Sequence, residues 1–198
     1  MRVTVFDYGA GNLHSLLKAL AVPDVALRVE ADPRRAVDTD VLVLPGVGAF
    51  GSAAARLAPG LAGVRDALAA GLPCLGVCLG MQLLFEGSDE GAGVGLAVVP
   101  GRVRRIRARR VPQIGWNALE ACREPLVAAA RLEMAYYANG FVAEPRDASV
   151  VRAWSVHEED RFPAVVRVGR TVGVQFHPEK SSRAGVAFVR AFLEEARS

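Results

Sequence analysis

The sequence predicts an α/β fold: an open, doubly wound, mostly parallel sheet flanked by helices, with a strand-rich C-terminal half. Three observations predict it. Strand-like and helix-like segments alternate through the first 85 residues, the pattern of parallel sheets with crossover helices. Cys74 to Val77 is too apolar for an exposed edge and therefore belongs in the middle of a parallel sheet. Pro45-Gly46-Val47-Gly48 and Cys78-Leu79-Gly80 both fall where strands would end, the side on which open α/β sheets bind ligands.

Taken in order, Arg2 to Phe6 reads as a first buried strand, and Asp7-Tyr8-Gly9-Ala10-Gly11 turns the chain into a helix. Asn12 can cap that helix, and Leu13, Leu16, Leu17 and Leu20 share one of its faces. A second strand covers Ala26 to Val29 and a third Asp40 to Leu44, ending at Pro45. Helices follow near Gly51 to Leu57 and Leu61 to Ala70. After the strand Cys74 to Val77 a helix runs through Phe85.

Beyond about Gly93 strands dominate: Leu96 to Val99, parts of Arg102 to Val111, Phe141 to Ala143 and Val150 to Ser155. A hairpin pairs Ala164 to Val168 with Thr171 to Phe176 around Gly169-Arg170. A last helix, Ala184 to Ala196, buries Val186, Val189, Phe192 and Leu193. The 198 residues contain no internal repeat or linker and are expected to form one domain, 1–198.

Composition excludes several classes. No apolar run approaches the ~18 residues of a membrane span, and the first residues lack the apolar stretch of a secretory leader, so a soluble, cytoplasmic protein is expected. Cys74, Cys78 and Cys122 are odd in number and unsuited to a disulfide framework. No pair has zinc or dithiol spacing, and no metal or cofactor is expected. Cys74 fits a small core residue.

The chemistry lies in Gly76-Val77-Cys78-Leu79-Gly80-Met81-Gln82. A G-x-C-x-G frame between a strand and a helix is the cysteine form of the nucleophile elbow, which presents the sulfur and places it at a helix N-terminus, where negative charge is favoured. The backbone N–H of Leu79, the residue after the nucleophile, is one oxyanion donor. A second can come from Val47 or Gly48 in the loop Pro45-Gly46-Val47-Gly48, whose two glycines let the backbone approach a ligand, with Gly46 expected against the substrate. Read alone, that loop is also an ordinary strand-end turn.

Only His14, His157 and His177 are available as a base. His14 and His157 fit solvated surfaces. His177 ends an apolar strand, is followed by Pro178, and has Glu179 two residues on, close enough for the carboxylate to fix the imidazole tautomer.

Gly76-Val77-Cys78-Leu79-Gly80-Met81-Gln82 and Gly173-Val174-Gln175-Phe176-His177-Pro178-Glu179 resemble the signatures of the class I (triad) glutamine amidotransferases, whose fold is flavodoxin-like, and the resemblance spans the chain. Asp7 to Asn12, Pro45 to Gly51, Phe85 to Gly91, Gly115-Trp116-Asn117 and His177-Pro178-Glu179-Lys180-Ser181 resemble, within that class, the glutaminase subunits of imidazole glycerol phosphate synthase.

The resemblance implies that Cys78, His177 and Glu179 hydrolyse glutamine to glutamate and ammonia, with Leu79 and Val47 at the oxyanion. It implies that Gln82 and Glu90 line the glutamine pocket, Glu90 facing the α-ammonium. It implies delivery of ammonia to a (β/α)8-barrel cyclase subunit of histidine biosynthesis, docked through Asn12, Trp116 and Lys180, and a glutaminase activity tied to occupancy of the cyclase site. Two stretches depart from the family: Pro112-Gln113-Ile114-Gly115-Trp116-Asn117 where it usually has Pro-His-Met-Gly-Trp-Asn, and Ala135-Tyr136-Tyr137-Ala138-Asn139-Gly140-Phe141 where it usually has an aromatic stretch with Val-His-Ser-Tyr. No family role passes to Gln113, Asn139, Tyr136 or Tyr137.

Three other readings compete. The run from Arg102 to Arg110 resembles a nucleic-acid patch, but net charge is only +3 and no aromatics are interleaved, so no nucleic acid is expected as partner. The glutaminase of pyridoxal phosphate synthase has similar length and the same triad; Gly115-Trp116-Asn117 and Lys180 argue against it. A cysteine hydrolase or redox sensor would need no Gln82 or His177-Pro178-Glu179.

Overall fold

The computed structural model describes residues 1–9, 11 and 13–198. The chain runs through β1 (Arg2–Phe6), α1 (His14–Leu20), β2 (Ala26–Glu30), α2 (Pro33–Ala36), β3 (Val41–Leu44), α3 (Phe50–Leu57), α4 (Leu61–Ala69), β4 (Cys74–Val77) and α5 (Leu79–Gln82). It continues with β5 (Gly87–Ser88), β6 (Gly101–Arg105), β7 (Gln113–Ala118), α6 (Pro125–Ala130), β8 (Met134–Asn139), β9 (Phe141–Pro145), β10 (Val151–His157), β11 (Asp160–Val168), β12 (Thr171–Val174) and α7 (Ser182–Arg197).

The central sheet has seven strands in the order β10-β11-β12-β4-β3-β1-β2. The pairs β12–β4, β4–β3, β3–β1 and β1–β2 are parallel; β10–β11 and β11–β12 are antiparallel. The α/β prediction holds, and β4 stands in the middle of the sheet. Its side chains alternate between two cores, Leu75 and Val77 on one and Cys74 on the other; Val41 and Val43 of β3 likewise oppose Leu42 and Leu44. This burial on both faces accounts for the unbroken apolar runs in these strands.

One core is capped by α1 and α7, whose Leu16, Leu20, Phe188, Val189 and Phe192 pack beneath β1, β3 and β4. The other is capped by α3 and α4 through Phe50, Leu57, Val64 and Leu68. Outside the sheet lie a three-stranded layer, β5-β6-β9, and the antiparallel ladder β7–β8. No helix among the described residues is long and apolar enough to cross a membrane.

Several elements differ from the sequence reading. Leu96 to Val99 forms no strand. Ala97 sits at φ 51°, which breaks an extended run, and the N–H groups of Leu96, Ala97 and Val99 bond to carbonyls of Leu83, Phe85 and Leu84 instead. The helix after Cys78 is a single turn, ending at Gln82. Val186 of α7 is half-buried, and Gly185 and Phe188 lie on the buried face in its place. Asn12, read as the cap of α1, lies outside the described residues; α1 begins after Leu13 without a side-chain cap.

Candidate active site

The carboxyl end of β4 turns sharply at Cys78, whose φ of 47° and ψ of −102° place a non-glycine residue in a strained conformation before the single turn of α5. Such strain concentrates at functional positions. The turn is held from both sides: the Cys78 N–H donates to Val174 O at 2.7 Å, and the Gln82 N–H to Cys78 O at 3.1 Å. Gly80 explains part of the sequence frame. A Cβ there would lie 1.9 Å from Leu44 O, so the elbow packs directly on the backbone of β3.

The sulfur is less open than the elbow pattern suggested. Cys78 is only 6% exposed and borders a cavity of about 100 Å³, shared with Gly46, Leu79, Gln82, Glu90 and Asn139. Gly46 and Gly48 bound this space, whereas Val47 does not. Gly48 holds a φ of 107°, open to glycine and costly for other residues. As the first residue of α5, Leu79 has an N–H without an intrahelical acceptor.

The structure brings His177 and Glu179 to the same place. β12 is the other parallel neighbour of β4, and three residues past its end His177 is 3% exposed. The Pro178–Lys180 segment is a short 3₁₀ turn, which curls Glu179 back so that its Oε1 lies 2.8 Å from Nδ1 of His177. A Cβ on Gly46 would lie 2.9 Å from both Cys78 Cβ and His177 Cε1, so nucleophile and imidazole flank one glycine. Burial by itself pushes the His177 pKa down, but Cys78 and Glu179, through hydrogen bonds and charge, outweigh it and raise the value to about 10.

Two supports of this loop carried no role in the sequence reading. Ser181, fully buried, donates through Oγ to His177 O at 2.7 Å and accepts from the Tyr136 N–H at 2.9 Å. The His177 N–H donates to Tyr136 O at 2.8 Å. Gln175, also fully buried, donates from Nε2 to Cys78 Sγ at 3.5 Å. In sequence these are inconspicuous polar residues flanking a histidine, and only the strand pairing shows what they face.

The remaining named residues divide into two groups. Gln82 is buried, its Nε2 donating to Phe141 O at 3.0 Å and to Gln175 Oε1 at 3.3 Å. Glu90 is exposed at the cavity edge and accepts from the Phe50 N–H at 2.9 Å. Trp116, 52% exposed, and Lys180 lie on the outer side: Trp116 meets the Tyr136 ring edge-on at 6.2 Å, and Lys180 Nζ sits 5.9 Å from the centre of the same ring. Gln113 and Asn139 pair across β7–β8, both buried, with Oε1 and Oδ1 lacking a partner. His14 is exposed, while His157 is half-buried, with Nε2 2.9 Å from Arg110 O.

Three arginines of the run, Arg102, Arg104 and Arg107, are paired with acids. Arg104 grips Asp160 through two contacts of 2.7 Å, Arg102 meets Asp89 at 2.8 Å and Arg107 meets Glu144 at 3.5 Å. Glu158 accepts from the N–H groups of Arg109 and Arg110. These pairs offset the charge of Arg102, Arg104 and Arg107, which weakens the case for a phosphate-binding surface.

Comparison with known proteins agrees with this geometry. The family described as "Glutamine amidotransferase class-I" matches residues 4–196. Imidazole glycerol phosphate synthase subunit HisH of Thermus thermophilus is 43% identical over 96% of this chain and 95% of its own length. The HisH subunit of Symbiobacterium thermophilum is 44% identical over 93% of this chain and 90% of its own, and that of Halobacterium salinarum 40% over 97% and 92%. Among solved structures, a glutamine amidotransferase superposes with a TM-score of 0.76 at 20% identity, covering 99% of both chains. PurLQS of Thermotoga maritima superposes at 0.71 and 19%, covering 98% of both, and both likenesses bear on the fold alone. The chain belongs to the class-I glutamine amidotransferases and, within them, to the HisH family of imidazole glycerol phosphate synthase subunits.

Proposed function

We propose that residues 1–198 act as one glutaminase domain, hydrolysing glutamine to glutamate and ammonia for an imidazole glycerol phosphate synthase of histidine biosynthesis. The observation that carries this reading is the convergence of Cys78, His177 and Glu179 at the carboxyl ends of two adjacent parallel strands, beside a cavity of about 100 Å³.

The Cys78 thiolate attacks the carboxamide carbon of glutamine. The negative oxygen that forms accepts from the Leu79 N–H and from an N–H of the Gly46–Gly48 loop, a type of contact worth ~3–4 kcal/mol per donor. Protonated His177 gives its proton to the departing ammonia, leaving a glutamyl thioester.

Acylation removes the sulfur's negative charge, one of the causes that raise the His177 pKa. The imidazole, now neutral, is therefore a competent base for the water that attacks the thioester, while Glu179 keeps the ring oriented. Gln82 and Glu90 sit where they can meet the substrate amide and α-ammonium.

Ammonia released into neutral water would be protonated, so the product is useful only if passed directly to a partner, here a (β/α)8-barrel cyclase subunit. Ile114, Trp116 and Met134 are all exposed on one face of the β7–β8 ladder, with Tyr136 and Lys180 beside them. Aromatic anchors of this kind dominate interface energies. The face is wired to the triad, since Tyr136 bonds both the His177 N–H and Ser181. A docked partner that shifts β8 would therefore move His177.

The test mixes the chain with a cyclase subunit and its ribonucleotide substrate and compares glutamine with ammonium salts as nitrogen source. Cys78→Ala should lose glutamine-dependent synthesis and keep the ammonium-dependent reaction. Retained glutamine use would remove Cys78 as nucleophile.

A further inference from the structure

We infer that Gln175 is a positioning residue for the nucleophile, carrying the hydrogen-bond polarity of the glutamine pocket to the sulfur of Cys78. The inference rests on the glutaminase reading above and concerns a side chain that reading does not use.

An amide side chain can point either way round, so the direction of its hydrogen bonds must be argued. The Phe141 carbonyl settles it. That oxygen only accepts, so the group of Gln82 lying 3.0 Å from it must be the donor, Nε2. The same Nε2 lies 3.3 Å from the side chain of Gln175, and a donor facing it requires the acceptor, Oε1, on that side. Gln175 Nε2 is then left facing Cys78 Sγ at 3.5 Å. Reversing Gln175 would set two donors against each other in a fully buried place, a costly arrangement.

The chain Phe141 O, Gln82, Gln175, Cys78 thus has one allowed direction, and it delivers an N–H to the sulfur. The N–H held against Sγ fixes the sulfur's rotamer and so its line of attack into the cavity. Gln175 cannot swing away. Its own backbone N–H is bound to Ala164 O at 2.9 Å, and β12 is paired on both sides. Because Gln82 borders the cavity and Gln175 does not, a substrate that engages Gln82 acts on the sulfur through Gln175 without touching it.

The experiment compares wild type with Gln175→Leu and Gln175→Glu, each checked for an unchanged cyclase complex and melting curve. Gln175→Leu fills the space without hydrogen bonds. Gln175→Glu keeps the acceptor toward Gln82 and loses the donor toward sulfur. Alkylation of Cys78 by iodoacetamide is followed across pH, with Cys78→Ala as blank, and glutaminase kinetics are measured in the complex.

Both variants should show slower alkylation at each pH and a kcat lower by about tenfold or more, with KM within about threefold of wild type. The glutamate, setting a carboxylate against the sulfur in place of an N–H, should show the larger slowing. An alkylation profile that overlays wild type in either variant would overturn the inference, as would a loss confined to KM. Alkylation needs only the thiol, so an inactive wild-type complex would count against the glutaminase reading and leave the role of Gln175 decided by the profile.

Discussion

Glu179 holds Oε1 2.8 Å from Nδ1 of His177 while its Oε2, buried alike, has no partner. The carboxylate is therefore committed to the imidazole, and its second oxygen gives nothing to any other group among the described residues. That one-sided arrangement favours a charged ring, and it makes the His177–Glu179 pair sensitive to pH and to substitution.

Stability should report this directly. His177 is raised from 6.5 to about 10 on folding, so its contribution is fully present below about pH 6.5 and fades as pH rises toward 10. The stability difference between wild type and His177→Gln, measured by chemical denaturation, should shrink across that window. A difference that stays flat from pH 6.5 to 10 would show that the ring is not held protonated.

Glu179→Gln should leave the fold intact and lower glutamine-dependent kcat by ~10²-fold or more, since the imidazole loses the acceptor that fixes its tautomer and steadies its charge. Steady-state kinetics in the cyclase complex check this, with ammonium-dependent synthesis as the control that should not change.

Gly46→Ala places a Cβ 2.9 Å from both Cys78 and His177. A displacement near 1 Å in a reacting geometry can cost ~10²-fold, so kcat/KM for glutamine should fall by about that much. The melting temperature should move by only a few degrees, because Gly46 sits in a strand-end loop.

Asp160→Ala tests a structural pair. Arg104, 12% exposed in its side chain, would keep its charge without its bidentate partner, and the Arg107 N–H would lose its 2.7 Å acceptor. Arg104 would keep Glu144, at 3.1 Å, as its remaining partner, so the loss should fall below the about 3–5 kcal/mol typical of a buried charge left unpaired, to be read from the denaturant midpoint. Wild type should show no salt-dependent binding to a random duplex; clear binding would return the arginine run to consideration as a nucleic-acid surface.

Much of the sheet was legible because burial on both faces leaves a plain mark: Cys74 to Val77 has no polar residue, and β4 is central. The grouping of Cys78, His177 and Glu179 was legible because each has a distinctive neighbour, glycines around Cys78 and a proline between His177 and Glu179. The β7–β8 ladder was not, since Trp116, Ile114 and Met134 are apolar yet exposed, which blurs the alternation that marks a strand. Leu96 to Val99 misled for the opposite reason: its apolar side chains are needed in the core, but its backbone is spent on the carbonyls of Leu83, Leu84 and Phe85. Gln175 and Ser181 were illegible as site residues because their partners are far off in sequence or are backbone atoms.

The order β12-β4-β3 has a consequence for how this chemistry can vary. Three adjacent parallel strands end in the histidine loop, the cysteine elbow and the Gly46–Gly48 loop, so the spacing of the reacting groups is set by the hydrogen-bonded separation of neighbouring strands, ~4.8 Å. The sheet acts as a ruler that drift in the surrounding loops leaves unmarked. A replacement at Asn139 can re-shape what enters the cavity, whereas only a slip of strand register, which would turn every side chain of β4 to the opposite face, would re-space Cys78 against His177.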